Sequence, residues 1–449
     1  MRARIVFIAL PLILAPLGTQ AADLVVWWEK GYYAQEDEAV REIVGAFEQK
    51  SGKQLELVQP TESELPGKIV ASFEADTPPD FVFGVLLQDY IGPWAADDRL
   101  ADLSEVVGGF SDLFDPDSLA WVTWRDPTTG HAAMYGLPIG REINHVHVWR
   151  SLLEQAGFTA ADIPREWEAF WSFWCDQVQP AVRRATGRED IWGVALPMAV
   201  RAGDTDLQFF QFMAAFDADY VSRDGKLLID DPEIRQRLIR AIDSYTAIYR
   251  KGCTPPGALE WSSGLGNNEA FWSQQAVMVP NVSLSIPNAL KREHPDDYYK
   301  NTATIEWPLG PHGEPFPIVG DVVSAMVFND GGNINNAMEF VRFLVAEGWL
   351  AHYLDFSAER LLPPMSKLLE QPFWLDPSDP HRMASVMQVS SRSLAHGYAY
   401  AAISGNWRHQ LVNGEYVWGN AVHRVAADGI SPEQAVDEAI ARIKQILAE

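Results

Sequence analysis

Short apolar runs alternate with amphipathic stretches at the start of this chain, and that alternation most constrains its fold. Leu24-Val25-Val26-Trp27-Trp28 reads as a buried strand, and Gly31 as a turn. Over residues 38–50 the apolar positions Val40, Ile43, Val44 and Phe47 recur at helical spacing, and Ser51-Gly52 ends the helix. Leu55-Glu56-Leu57-Val58 is the next strand, and Pro78-Pro79-Asp80 introduces a third at residues 81–83. Strands that alternate with helices predict parallel α/β layers. A break follows at Gly136-Leu137-Pro138-Ile139-Gly140, then a strand over residues 143–149 and a helix over 151–156 that stops at Gly157. Beyond Pro164 the chain reads as mostly helical, with amphipathic stretches at residues 231–251 and 333–347. Strand runs return at 276–279 and 322–328, and a periodic helix covers 432–447.

The compartment is set before the first strand. Arg2 and Arg4 precede an almost wholly apolar run over residues 5–17, then Gly18, Thr19, Gln20 and Ala21. This is the pattern of a secretory signal peptide over residues 1–21, cleaved after Ala21, and the expected location is the periplasm. The apolar run is shorter than the ~20 residues of a spanning helix. The formal charge of −26 repels phosphate backbones, which argues against nucleic acid as a partner. The two cysteines, Cys175 and Cys253, are too few for a zinc ribbon. In an exported chain they are expected to form a disulfide, with two separate buried thiols as the alternative.

The order of landmarks resembles the extracellular solute-binding proteins of carbohydrate ATP-binding-cassette (ABC) importers, the maltose-binding-protein-like group. The resemblance rests on Phe47-Glu48-Gln49-Lys50-Ser51-Gly52, Pro79-Asp80-Phe81-Val82-Phe83, Leu100-Ala101-Asp102-Leu103, Tyr135-Gly136-Leu137-Pro138 and Leu153-Glu154-Gln155-Ala156-Gly157-Phe158. It continues through Pro164-Arg165-Glu166-Trp167, Asp224-Gly225-Lys226, Phe271 with Gln275-Ala276-Val277-Met278, Ala337-Met338-Glu339-Phe340 and Leu362-Pro363-Pro364. It implies an α/β, two-lobe periplasmic binding protein fold with a hinge and an interlobe ligand cleft. The implied first lobe is residues 22–139 plus 322–362, and the second is 140–321 plus 363–449. It also implies a monomeric receptor that passes a mono- or oligosaccharide, or a polyol, to the transmembrane subunits of an importer, without cofactor. A periplasmic carbohydrate-active enzyme and a receptor feeding a chemotaxis or sensor protein are the alternatives.

Sugar sites need aromatic faces for the C–H patches of the ring, and carboxylates, amides or arginine for its hydroxyls. In α/β folds such groups sit where strands end. Trp28, Glu29, Tyr32 and Tyr33 follow the first strand, and Gln88 with Asp89 the third. Arg141 and Glu142 follow the first crossover. The resemblance implies a sugar contact for Glu142, and an ion pair steadying the hinge is the other reading. Arg141 either orients Glu142 or signals an anionic sugar. Asp204, Asp206 and Gln208 precede a helix, where an N-cap is the plain alternative. Trp261 lies in a polar, non-periodic loop and is paired with Trp28 as opposed covers on the sugar. Asn281, Ser283 and Ser285 stand where the family usually has an aromatic, Asp321 marks the next crossover, and Tyr416 and Trp418 stand where relatives place a stacking ring. Trp167, Trp171 and Trp174 repeat at helical spacing and read as core.

Other chemistries find little support. His145 and His147 alternate on a strand as an H-x-H metal pair would, but only the remote His131 offers a third ligand, and no metal site is expected. No carboxylate pair is singled out for glycoside hydrolysis. G-x-S-x-G, G-x-G-x-x-G and P-loop signatures are absent.

Overall fold

The computed structural model describes residues 22–85, 87–125, 131–202, 204–222, 226–261, 265–357, 360–394 and 406–448. The expected signal peptide, the hairpin residues Asp224-Gly225 and the loop residues Ser262-Ser263 lie outside them. The strands are β1 (Leu24–Trp28), β2 (Leu55–Val58), β3 (Phe81–Phe83), β4 (Thr123–Arg125), β5 (Ala132–Met134), β6 (Leu137–Ile143), β7 (His145–Trp149), β8 (Trp192–Val194), β9 (Ala276–Asn281), β10 (Thr302–Ile305) and β11 (Gly320–Val327). They form a five-stranded sheet in the order β2-β1-β3-β11-β6, a four-stranded sheet in the order β10-β7-β9-β8, and a two-stranded pair of β4 with β5.

The first sheet is a layer with helices on both faces. Leu24, Val26 and Trp28 alternate into one face, where the helix Ala34–Ser51 brings Ala39, Val40, Ile43 and Phe47. That helix ends at Gly52, whose φ of 72° is a left-handed conformation that costs glycine little. The opposite face gathers Leu65, Ile69, Val82, Ile91, Trp94, Met326 and Phe328. The second sheet carries its own core, to which the helices Asp204–Ala215, Pro232–Arg250 and Pro432–Ala448 contribute, together with Trp167, Trp171 and Trp174.

Both sheets are mixed rather than parallel. β1 runs parallel to β2 and β3, but β11 is antiparallel to both β3 and β6, and β7 is antiparallel to β9 and β10. The reason is the crossover: β11 returns to the first sheet from the second, so it enters against the direction of the strands already there.

The lobes meet at three backbone passages. β6 runs into β7 through Asn144, whose N–H donates to the Val319 carbonyl at 2.7 Å, just before β11 begins. The third passage lies at Leu362, which exchanges backbone hydrogen bonds of 2.7 and 2.8 Å with Arg141. The ladder pairs Gly320 with Ile143 and Val323 with Gly140, so residues 140–143 and 320–321 belong to the first sheet. The pairing therefore carries the first sheet as far as Ile143 and from Gly320 onward, past the expected breaks at 139/140 and 321/322, with a register shift at Val323/Ser324. Gly140 is needed here, since a Cβ would stand 2.8 Å from that of Leu361.

Cys175 and Cys253 are joined by a disulfide between the segment Phe173–Val178 and the residues following helix Pro232–Arg250. It closes a loop across 78 positions, for which loop entropy allows about 4 kcal/mol of stabilisation. Thiol titration of the denatured, unreduced protein should find no free thiol. Cys175→Ser/Cys253→Ser should lower unfolding free energy by about 2–4 kcal/mol in urea titrations; an unchanged midpoint would remove the bond from the stability argument.

Candidate functional site

A cleft of about 920 Å³ opens between the two sheets. The first lobe contributes Tyr32, Glu62, Gln88 and Tyr90, the hinge strands Glu142, Gly320 and Asp321, and the segment beside the third passage Arg360. From the second lobe come Asp204, Asp206, Asn268, Asn281, Gln410, Asn413 and Tyr416. Several sit near the end of an element: Gln88 in the turn after β3, Asn281 at the tip of β9, Asp204 and Asp206 in the first turn of their helix. Strand and helix ends leave backbone groups and short polar side chains at the opening, whereas element interiors are spent on the core.

Of the residues expected from sequence, Tyr32, Gln88, Glu142, Asp204, Asp206, Asn281, Ser283, Ser285, Asp321 and Tyr416 line this cleft. Tyr32 is 50% exposed, and Tyr416 is held at φ 52°, a left-handed conformation uncommon for a bulky residue. Gln88 donates its side-chain amide to the Asp321 carboxylate, and its backbone carbonyl accepts from Gln410 Nε2 at 3.0 Å, which ties the lobes together across the opening. Asn281 donates to Ser283 O at 3.0 Å and accepts from Asn267 at 3.2 Å, so it shapes the wall.

The other expected residues are elsewhere. Trp28 is a correction: it is 1% exposed and packs against Phe81, Phe83 and Tyr353 in the first core. As the last inward position of β1 it follows the alternation of Leu24 and Val26, so it points into the layer rather than out of the strand end. Trp261 is partly buried against the second core beside Gly266 and does not line the cleft. The two rings thus do not oppose each other. Trp418, too, is core. Tyr33 lies under the Arg292 guanidinium, 3.7 Å from its ring centre, in a separate groove with Trp272. Glu29 accepts from Val85 N at 2.9 Å and lines a small annex shared with Tyr32, Glu62 and Arg360. Arg141 is also a correction: it is buried, ion-paired with Asp115 at 2.7 Å, and donates to the Pro363 carbonyl at 2.9 Å. It clips the passages together and faces no ligand space.

Sequence reasoning missed Tyr90, Glu62, Arg360, Asn268, Gln410 and Asn413. Tyr90 directly follows Gln88 and Asp89, so proximity was a usable signal. Arg360 had none. It is recruited by Glu36 of the helix Ala34–Ser51, at 2.9 Å, and stands 3.9 Å from Glu142.

The cleft carboxylates are hard to ionise. Burial raises the pKa of Glu142 to about 7 against the pull of Arg360. Burial likewise lifts Asp204 to about 7, opposed by the Asn267 amide, and Asp206 to about 7, opposed by the Gly419 N–H. Glu29 behaves the same way. His145 and His147 do share a face, but burial pushes His147 down to about 4 and His145 well below its ordinary value. Their ring nitrogens bond Ser385 at 2.6 Å and Thr304 at 2.9 Å. Among the described residues no group of three or more His, Cys, Asp or Glu is placed to hold a metal ion.

The chain matches the family described as bacterial extracellular solute-binding protein over residues 42–383. No curated protein sequence matches it. Among solved structures it is similar to an ABC transporter solute-binding protein of Thermotoga lettingae bound to α-D-tagatose, with 16% identity and a TM-score of 0.70 over 94% of this chain and 99% of that one. A cyclic α-maltosyl-1,6-maltose binding protein from Arthrobacter globiformis has 16% identity and a TM-score of 0.72, covering 94% and 98%. A sugar-binding protein from Xanthomonas citri has 19% identity and a TM-score of 0.68, covering 95% and 97%. At these identities the likeness establishes the fold.

Two outcomes test this placement. Trp28→Ala should cost about 3–5 kcal/mol of unfolding free energy in urea titrations, because it empties a core site; a variant as stable as the parent would return Trp28 to the surface. Asp206 carries a pKa raised in the folded state, so the native protein binds more protons than the unfolded chain between about pH 4 and 7. That stabilisation is present at low pH and lost as pH rises through 7. Asp206→Asn should therefore gain on the parent by roughly 2–4 kcal/mol between pH 5 and pH 8, read as the difference between melting curves; a flat difference would contradict the raised pKa.

Proposed function

We propose, from the premise that this chain belongs to the bacterial extracellular solute-binding protein family, that it is a periplasmic sugar receptor which hands its ligand to the transmembrane subunits of an ABC importer. The observation that carries this reading is the composition of the interlobe cleft. Tyr32, Tyr90 and Tyr416 offer ring faces from both lobes, and between them stand carboxylates and amides able to accept from hydroxyls. The sugars named with similar structures, α-D-tagatose and maltose among them, support the same class of ligand.

In this reading the ligand acts by closing the lobes. Among the described residues three strands of backbone join them, at Asn144, Val319 and Leu362, so a small change in backbone angles there opens or closes the cleft. Tyr32 approaches from the first lobe and Tyr416 from the second, so a sugar held by both is held only when the lobes meet. Direct contacts add to closure: Arg292 of the second lobe covers Tyr33 and donates to Gln35 at 2.9 Å, and Gln410 reaches Gln88. A permease that recognises the closed form would then read occupancy. The receptor acts as a monomer and makes no covalent change to the sugar.

Thermal-shift screening over mono- and oligosaccharides, polyols and uronates should find a ligand that raises the melting temperature, with one-to-one stoichiometry by calorimetry. Tyr32→Ala should weaken it by about 1–3 kcal/mol while the unliganded melting temperature holds, since that ring is half exposed. Chromatography of the recovered sugar should show it unchanged. Turnover of the sugar would replace the receptor with an enzyme, and no response anywhere in the screen would end the sugar reading.

A further inference from the structure

The charges around the cleft do not balance. Among the described residues, five carboxylates line it, Glu62, Glu142, Asp204, Asp206 and Asp321, against one cation, Arg360. Arg360 is already committed: its guanidinium bonds Glu36, a fully buried carboxylate outside the cleft, at 2.9 Å, and is more distant from Glu142 at 3.9 Å. Arg141, the other arginine near the hinge, is turned away and paired with Asp115. Asp204 accepts from the Asn267 amide at 3.1 Å, which is a neutral donor.

The unsatisfied atoms point the same way. Asp206 is 4% exposed, and while one of its oxygens accepts from Gly419 N at 2.8 Å, the other, Oδ2, has no partner. Asn268 Oδ1, Gln88 Oε1 and Gln410 Oε1 are likewise buried and unpaired. All four are acceptors on residues that line the cleft. A neutral hydroxyl offers one donated hydrogen and no charge, whereas an ammonium offers three and a full positive charge. Desolvated carboxylates left without a counter-charge resist ionisation, as the raised pKa values of Glu142, Asp204 and Asp206 record.

We infer that the cleft is built for a polyhydroxylated ring that carries a protonated amine, an amino sugar or aminated cyclitol, whose ammonium group sits against Asp206. This rests on the sugar reading and narrows it. The ammonium would also draw Glu62 of the first lobe toward the acids of the second, so charge and closure act together.

Calorimetry on the mature chain at pH 6 tests this with matched probes: glucosamine against glucose and N-acetylglucosamine, chitosan disaccharide against its N-acetylated and its hydroxyl counterparts, and putrescine as an amine without a ring. The aminated sugar should bind at least about tenfold tighter than either counterpart, and the preference should shrink with added salt. Repeating the titration in buffers of different ionisation enthalpy should show proton release on binding, because an ammonium returns the acids to their charged form. A neutral sugar should release none. Asp206→Asn, checked by its melting temperature for folding, should bring the amine-to-hydroxyl preference toward unity. A neutral sugar that binds as tightly as its amine overturns the inference and leaves the sugar receptor standing. Putrescine binding alone keeps the cation site and ends the sugar reading. No binding by any probe overturns the inference, while the sugar reading falls only with the wider thermal-shift screen.

Discussion

The ladder between β6 and β11 is the element on which the rest of the molecule depends. It closes the first sheet, and its two strands are also two of the three passages into the second lobe. Glu142 and Asp321 face each other across that ladder, so the backbone that hinges the lobes also places two cleft carboxylates. Around it the chain concentrates its strongest polar ties. Arg141 holds Asp115 and the carbonyl of Pro363, while Asn144 exchanges amide hydrogen bonds of 2.9 and 3.1 Å with Gln208. These groups are buried and paired, which makes them costly to disturb one at a time and suits them to fixing where bending occurs.

Away from the hinge, each lobe is stabilised by its own apolar core, and the cleft lies where neither core reaches. That separation lets the cleft hold groups a core would reject. Carboxylates there are kept poorly solvated and short of counter-charge, and side-chain acceptors go without donors. Stability is thereby given up at the place where a ligand can restore it, and that restoration is the free energy available for closure. The left-handed backbone of Tyr416 belongs to the same pattern of local cost at a cleft-lining position.

Much of the fold was legible in the residues. The periodicities of β1 and the helix Ala34–Ser51 define a layer, and Gly52 ends that helix as its position after Ser51 foretold. Two features were not legible. Strand direction was one: antiparallel β11 depends on the chain leaving for the second lobe and returning, which no local window records. The register of the crossover was the other, since the ladder runs past both expected breaks. In the site, reading along the chain for strand ends and crossovers led to Tyr32, Gln88, Glu142, Asn281 and Asp321, which line the cleft because strand ends open onto it.

Sequence alone thus determined that the chain forms layered α/β units and that polar residues cluster at their ends, because period and turn chemistry act over a few residues. It also singled out Tyr32 and Tyr416, two of the three cleft tyrosines, but not Tyr90. Only the tertiary structure decided which rings serve the cores and which the cleft: Trp28 went inward with the alternation of its strand, Trp261 settled beside Gly266, and Tyr90 came to the opening. It likewise decided the role of each arginine. Arg141 and Arg360 are equally basic in the sequence, but one is neutralised behind the hinge by Asp115 and the other is carried to the cleft by Glu36. Burial and pairing depend on partners outside any local window, Glu36 lying 324 positions from Arg360, and those partners meet only once the chain has folded.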